Sequence, residues 1–323
     1  RYLALAMPEG ARRYIAHAAR GGSLEDVAIR VKGTLEAFPF HAHRSGEFRV
    51  AAKVDDLTLD YMPATGATAP DAAPAAATTG VAPNPTHWPP LTQAKGEIVL
   101  DRGSLRFKAS SAQLAGVAIV ALDGGIADLF DRRVLALQGQ ARGAINDMLH
   151  FVSTTPIDGW TGGALREATA SGPGDLTLAL ELPLQAAGRA SASGSLQLAG
   201  SDVRLRNDLP LLGAVRGRID FKDQGFTLNA LHAQLFGGDV AIDGGTQADG
   251  ALRVTAQGTA SAEALRGATD PPWLAPLARS LRGQARYKLA FARVKGRPEF
   301  SLTSDLVGVA SSLPAPLGGT ETS

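Results

Sequence analysis

The sequence contains no cysteine, which excludes disulfides and thiolate metal ligands. It also lacks a long hydrophobic run, because the longest near-continuous apolar stretch, Leu114 to Leu122, is far shorter than the roughly 20 residues that a membrane-spanning helix needs. Arg1 is followed by patterned sequence and by no basic and apolar signal segment. We therefore expect any membrane anchor to lie outside this sequence.

A charge excess of one sign is also missing. Lys plus Arg number 32 and Asp plus Glu number 31, so no broad positive field is available to attract phosphates, and we expect no nucleic-acid partner. Aromatic residues make up only 6% of the chain, whereas the apolar fraction of 45% is sufficient for a substantial core.

What the sequence does contain is strand periodicity. Apolar residues alternate with polar ones in segments such as Val27 to Val31 and Phe48 to Val54, and a period of two is typical of half-buried strands. A helix is predicted over Met7 to Ala19, with a proline in its first turn and glycines at its end. We predict that residues 1–62 hold this helix and the first strands.

The composition changes abruptly after this first part. Residues 63–90 are rich in Pro, Ala, Thr and Gly, which cannot bury an apolar face, so they are predicted to be a flexible insertion. Strand patterns resume and continue through residues 91–323, with hairpins expected at Ile98 to Phe107 and at Tyr287 to Leu302. Short helices are predicted near 144–152 and 273–282, where apolar residues are spaced by three and four.

An internal repeat supports the β prediction. The segment from Lys95 to Gly116 aligns without a gap on the segment from Arg216 to Gly237, so that Gly96 corresponds to Gly217. The apolar hairpin positions also correspond in kind, Leu105 with Phe226 for example. Self-similarity of this kind indicates units that must stack because each is too small to bury its own apolar face.

The few predicted helices are too short to cover so many one-sided strands. Two arrangements remain open: a closed sandwich with a shared core, or a curled sheet whose concave side is left for an apolar ligand. The frequent Ala and Gly residues favour the second arrangement because small side chains leave room inside.

Six segments of the sequence together resemble YhdP-type members of the AsmA-like family. They lie in the family's order along nearly the whole chain, at Gly21 to Phe40, Gly46 to Pro63, Trp88 to Phe107, Trp160 to Leu184, Gly200 to Phe221 and Phe236 to Gly250. The resemblance implies an elongated, twisted and curled antiparallel β-sheet of repeated hairpins that forms an open hydrophobic groove, with a few short helices. It implies that this chain is an interior section of such a bridge.

The resemblance also implies a function. YhdP-type proteins are anchored in the inner membrane and cross the periplasm to move phospholipid toward the outer membrane, so the expected ligands are phospholipid acyl chains and the expected partners are inner- and outer-membrane proteins at the ends of the bridge. The residues expected to line the groove are the apolar strand positions Val50, Ile98, Leu100, Leu105, Phe107, Leu178, Leu180, Ile219, Phe221, Phe226, Leu228, Leu289 and Phe291.

No catalytic, metal or cofactor site is predicted. His41 and His43 have the spacing of two ligands on one strand face, but they lack a nearby carboxylate pair, and we interpret them as structural or exposed. Asp56 and Asp60 are assigned to a solvated strand face rather than to calcium. The polar residues of 146–154 are interpreted as a helix cap and polar face, and the paired glycines at 124–125, 162–163, 237–238 and 244–245 as turns and bulges.

Two other functions are weighed against the lipid conduit. The first is a structural or assembly scaffold of the cell envelope that acts on outer-membrane protein biogenesis without carrying lipid. The second is a carbohydrate-active enzyme, which would need carboxylates and aromatics together on one concave face. The three tryptophans instead lie beside prolines or near predicted helix ends.

Overall fold

The computed structural model describes most of the patterned sequence. It describes residues 16–34, 40, 46–61, 88–131, 133–155, 157–161, 163–184, 190–223, 225–267, 275, 278–294 and 297–312, without the side chains of Trp160 and Val294. The predicted helix at Met7 to Ala19, the insertion at 63–90 and the pair His41 and His43 lie wholly or largely outside these ranges.

The described chain is dominated by β-strands, with short helices between some of them. The strands of the first half are β1 (Ala19–Lys32), β2 (Glu47–Leu59), β3 (Leu91–Asp101), β4 (Ser104–Leu114), β5 (Val117–Ile126) and β6 (Val134–Ala144). There follow α1 (Ile145–Thr154), α2 (Ile157–Trp160), β7 (Thr169–Ala170), β8 (Pro173–Pro183), β9 (Ser191–Arg204), β10 (Leu212–Lys222), β11 (Gly225–Leu235), β12 (Gly238–Thr246), β13 (Leu252–Ser261), α3 (Ala262–Gly267), β14 (Leu281–Val294), β15 (Arg297–Ser304) and β16 (Val309–Ser311).

All the strands belong to one 16-stranded antiparallel sheet. Its order follows the sequence from β1 to β6 and from β8 to β15, while β7 pairs with β9 and β16 with β14. The sheet is not closed. The expected fold class, a mainly β chain of repeated antiparallel hairpins with a few short helices, is therefore confirmed, and the open sheet meets the first requirement of a groove.

The contacts divide the chain into two compact units. Unit 1 comprises Arg1–Gly143, His150–Ile157 and Leu176–Gly194, and unit 2 comprises Ala144–Leu149, Asp158–Asp175 and Ser195–Ser323. The expected division at residues 62 and 90 stays a prediction. The expected helix near 144–152 is present as α1. Of the expected helix at 273–282 the structure describes residue 275 and residues 278–282: 275 and 278 are helical, 279 and 280 form a turn, and the last two positions belong to β14.

The sequence repeat is also a repeat of backbone conformation. Left-handed backbone occurs at Arg102 and Ala115 in the first copy and at the matching positions Asp223 and Phe236 in the second. Gln93 and Ala214, each two residues before its copy, also match. Ala115 and Phe236 are each followed by a glycine that is also left-handed, Gly116 or Gly237. Two consecutive left-handed residues form the tight hairpin turn that fits the right-handed twist of the flanking strands.

Bulges and bare glycines shape the strands between the turns. The strand registers shift near the left-handed residues Asp26, Asp56 and Gln93, and a β-bulge at such a point bends its strand and increases the local twist. Gly96 lies so close to β4 that an added Cβ would collide with the backbone of Lys108 and Ala109.

The prediction that all four glycine pairs are turns or bulges is only partly right. Gly237 is in the β11–β12 turn, but the pairs at 124–125 and 244–245 lie within β5 and β12. A Cβ on Gly125 or Gly245 would collide with the neighbouring strand's backbone, at Leu105 and Phe226 respectively. Close approach of the strands, rather than chain reversal, therefore requires glycine there.

Unit 2 contains a core of fully buried apolar side chains. Leu231, Val240, Ile242 and Tyr287 meet there, each at most 8% exposed. The first residue of α1, Ile145, is 3% exposed and joins the same cluster. The start of α1 thus covers part of the apolar face in unit 2.

Candidate functional site

The apolar side chains of unit 1 form continuous rows across its strands. Residues that are directly paired in adjacent strands point to the same face of a sheet. Successive pairs link Ile29, Val50, Leu100, Leu105, Ile126 and Leu135 from β1 to β6. A second row, parallel to the first, links Ala52, Ile98, Phe107, Gly124 and Leu137.

Most side chains of these rows are only half-buried. Val50, Ile98, Leu100, Leu105 and Phe107 all fall in this class, and Ile29 on the outer strand is 66% exposed. The phenyl ring of Phe107 lies over Gly124, where an added Cβ would be 2.8 Å from its Cζ atom. The apolar face of unit 1 is therefore accessible rather than sealed as a core.

The opposite face of the same strands is charged. Successive cross-strand pairs link Glu25, Lys53, Glu97, Lys108 and Asp123, so that negative and positive residues alternate from β1 to β5. Lys108 Nζ lies 3.2 Å from a carboxylate oxygen of Asp123. The hydrogen bond that Lys53 donates to Asp26 lowers the pKa of that carboxyl and raises the pKa of Lys53. This is the water-facing side of unit 1, since exposed alternating charges favour hydration and fix the strand register.

A depression of about 490 Å³ lies where β4, β5, β6, β8 and β9 run side by side in unit 1. Its lining combines small residues such as Ala109, Gly139 and Gly194 with polar side chains, which include Lys108 and Asp123 of the charged face. Leu178 adds a large apolar side chain. The volume falls within the range of small-molecule sites in proteins. Here the small residues do leave space at the sheet surface.

Unit 2 carries equivalent apolar rows, but the side chains of its two rows differ in how far they are buried. One row links Ile219, Leu228, Gly244, Val254, Phe291 and Phe300 across β10 to β15 and is mostly half-buried. The next row links Leu231, Ile242, Ala256, Leu289 and Leu302 and is buried over its first three residues. The apolar face of unit 2 thus changes from half-buried in the row of Ile219 and Leu228 to buried in the first part of the row of Leu231.

The residues expected to line a groove fall into these rows or onto β8, except Phe221 and Phe226, which pair with each other across β10 and β11 outside both rows. All of them are half-buried except Leu178, which is 37% exposed. Phe221 pairs with Phe226, and Ile219 pairs with Leu228, as the repeat predicts from Leu100, Leu105, Ile98 and Phe107. Leu178 and Leu180 alternate on one face of β8. Their contact with lipid stays a prediction.

Sequence reasoning missed several members of the same rows. Leu135 and Leu137 of β6 and Val254 of β13 belong to strands that were not predicted. Their apolar alternation is short because glycine and alanine occupy the following inward positions of β6. The short apolar run from Val134 to Leu137, between Arg133 and Gln138, was the available signal.

One predicted role is wrong. Asp60 was assigned to a solvated face, yet it is 4% exposed, and Arg20 donates a hydrogen bond of 2.7 Å to its Oδ2 atom. The backbone N–H of Asp60 also bonds to the carbonyl oxygen of Ala18. The register shift at the left-handed residue Asp56 interrupts the alternation on which that prediction depended.

In contrast, residues 146–154 do lie in a helix, where the hydroxyls of Ser153 and Thr154 donate to the carbonyl oxygen of His150.

The open antiparallel sheet with one charged and one accessible apolar face fits the AsmA-like class of envelope proteins. A family model described as "YhdP protein" matches residues 1–322, and the chain belongs to this family. No curated protein and no solved structure matches the chain. In the described part of the chain, no helix has the length and apolarity to span a bilayer.

Proposed function

We propose that this chain is a non-enzymatic, periplasmic segment of a bridge that moves phospholipid between the inner and outer membranes and so supports the outer-membrane barrier. The observation that carries the proposal is the set of half-buried apolar rows that cross β1 to β6 without interruption. Family membership supports the same assignment.

The energetics explain why such a face is useful. Passing an acyl chain of about 16 carbons through water costs about 0.8 kcal/mol per methylene, hence on the order of 12 kcal/mol per chain. Rows of Leu, Ile, Val and Phe keep the chain out of water, while the headgroup stays hydrated at the open side. Because each contact along the rows is apolar and similar to the next, the lipid can slide without meeting a tight binding site. No bond is made or broken.

Photocrosslinking tests the proposal directly. A photoreactive residue placed at Leu100 or Phe107, on the apolar face, is expected to capture phospholipid in cells. The matched control is the same residue at Lys108, which follows Phe107 and points to the charged face. Capture only at Lys108, or equal capture at both faces, would contradict the groove.

A scaffold for envelope assembly that carries no lipid is the second candidate. The observation in its favour is β1, an outer strand on which Leu24 and Ile29 are 60% and 66% exposed. Such an edge can pair with a strand of another protein. Native mass spectrometry of the purified chain separates the candidates, since a conduit is expected to retain phospholipid and a scaffold is not.

A further inference from the structure

Unit 2 buries a hydrogen-bond donor that its own fold leaves unused. Tyr287 is 8% exposed, and its hydroxyl has no hydrogen-bond partner among the described residues. Its ring meets that of Phe236 edge-on, with centroids 6.3 Å apart. Burial raises the pKa of Tyr287 to about 12, so the phenol keeps its proton at neutral pH. A buried donor without an acceptor is unfavourable and uncommon in folded proteins.

Neither residue paired with Tyr287 in the sheet accepts a hydrogen bond from its hydroxyl. It is paired with Gly258 on one side and with Ser304 on the other. Gly258 has no side chain. The hydroxyl of Ser304 is already engaged, because it donates to the carbonyl oxygen of Arg286 at 2.7 Å and accepts from the backbone N–H of Leu306 at 3.1 Å.

The position of Tyr287 connects this donor to the accessible apolar face. Leu289 and Phe291 follow at alternate positions of β14, point to the same face and are half-buried. Beyond Tyr287, its row continues through Gly258 to Val240, which is 1% exposed. Tyr287 therefore lies where the accessible apolar surface of unit 2 gives way to the buried core.

We propose that the hydroxyl of Tyr287 donates a hydrogen bond to the ester carbonyl oxygen of a glycerolipid whose acyl chain lies on the apolar face. This inference rests on the proposed function. An ester carbonyl is a neutral acceptor that enters apolar surroundings with the acyl chain, whereas a phosphate would need a compensating cation. The paired residues of the Tyr287 row, Val240, Gly258 and Ser304, carry no charge. The hydrogen bond would therefore form at the ester group, where the acyl chain joins the glycerol.

The test compares a lipid that has the carbonyl with one that lacks it. The 323-residue chain is mixed with equal amounts of dipalmitoyl phosphatidylcholine and its dihexadecyl ether analogue, and the retained lipid is measured by native mass spectrometry. The wild type is expected to favour the ester on the order of threefold to tenfold, as one hydrogen bond implies. Tyr287→Phe is expected to retain both lipids equally and to unfold at no lower denaturant concentration. Tyr61→Phe, which removes a phenol hydroxyl in unit 1, is the control and should keep the preference.

Three results would overturn the proposal. These are equal retention of ester and ether by the wild type, an ester preference that survives in Tyr287→Phe, and a Tyr287→Phe variant that is less stable or does not fold. The last result would show that the hydroxyl already has a partner within the protein, such as a buried water. If the wild type retained neither lipid, the proposed function itself would fail, so the two failures are distinguishable.

Discussion

Units 1 and 2 each contain one copy of the repeat, yet they bury it differently. In unit 2 the rows nearest α1 form a core of large side chains, including Leu231, Val240 and Ile242. In unit 1 the buried apolar positions are mostly small, such as Ala52, Ala94 and Ala112, while the large side chains of the rows other than Ile126 stay half-buried or exposed. The same alternating pattern therefore yields a partly sealed core in unit 2 and a largely accessible apolar surface in unit 1.

The difference has a local cause in unit 2. Ile145 at the start of α1 packs tightly against Leu196 and Gly174, where a Cβ added to the glycine would be 2.8 Å from Cγ1 of Ile145. Leu149, one turn later, also contacts the cluster. The start of this short helix thus adds apolar cover to the core of unit 2, where each buried aliphatic side chain contributes about 1.5–3 kcal/mol.

The largest effect is expected from a charge placed on each apolar face. Leu231→Arg should unfold unit 2, at a cost of more than about 4 kcal/mol, because the guanidinium would be buried without a partner. Leu100→Arg should cost about 1–2 kcal/mol, since a long side chain can reach water from a half-buried position, but it should abolish lipid retention. Urea unfolding followed by circular dichroism measures both. Equal losses of stability would show that unit 1 is also a closed core.

Truncating one leucine in each unit to alanine should show the same difference between the units, with smaller losses of stability. Leu231→Ala should lower the free energy of unfolding by about 3 kcal/mol, because Leu231 is only 5% exposed and its truncation leaves a cavity in the unit 2 core. Leu105→Ala removes the same atoms from a half-buried site and should cost about 1 kcal/mol. The two variants are matched in chemistry, so a ratio near one would refute the difference in burial.

The close packing of strands at the repeated glycines can be tested with an alanine variant. Gly96→Ala should destabilise unit 1 by about 1–3 kcal/mol, because its methyl group would collide with the backbone of β4. Gly21→Ala is the matched control, since an added Cβ there meets no atom within 4 Å, and it should change stability by less than about 0.5 kcal/mol. A tolerated Gly96→Ala would mean that β3 and β4 can separate there at little cost.

The smallest expected effect concerns pH and is confined to unit 2. Burial raises the pKa of Tyr287 from 10.0 to about 12, so the unfolded chain releases this proton at lower pH than the folded chain. The stabilising contribution of the un-ionised Tyr287 is therefore complete below pH 10 and is lost as the pH rises toward about 12. Denaturation midpoints measured from pH 9 to 12 should fall less in Tyr287→Phe than in the wild type. Parallel curves for the two proteins would contradict this.

Sequence reasoning predicted strands best where alternation was long and side chains were large. The hairpin of Ile98, Leu100, Leu105 and Phe107 was expected and is present, with the expected turn at 102–103. Strands β6 and β13 were missed because small residues occupy many of their inward positions. Asp60 was assigned to the wrong face because a bulge changes the alternation, and the residue types near Asp56 do not indicate a bulge.

The sequence by itself determined the strand period, the repeat and the separation of apolar from charged faces. These properties follow from covalent order, since alternate side chains of any strand point to opposite sides. Only the tertiary structure decided which apolar rows are sealed and which stay accessible. Burial depends on what packs against a face, and Ile145, Leu149 and the strands of unit 2 provide that cover for one part of the sheet. The same dependence left the hydroxyl of Tyr287 buried without an acceptor, although nothing in the alternation around it distinguishes it from its apolar neighbours.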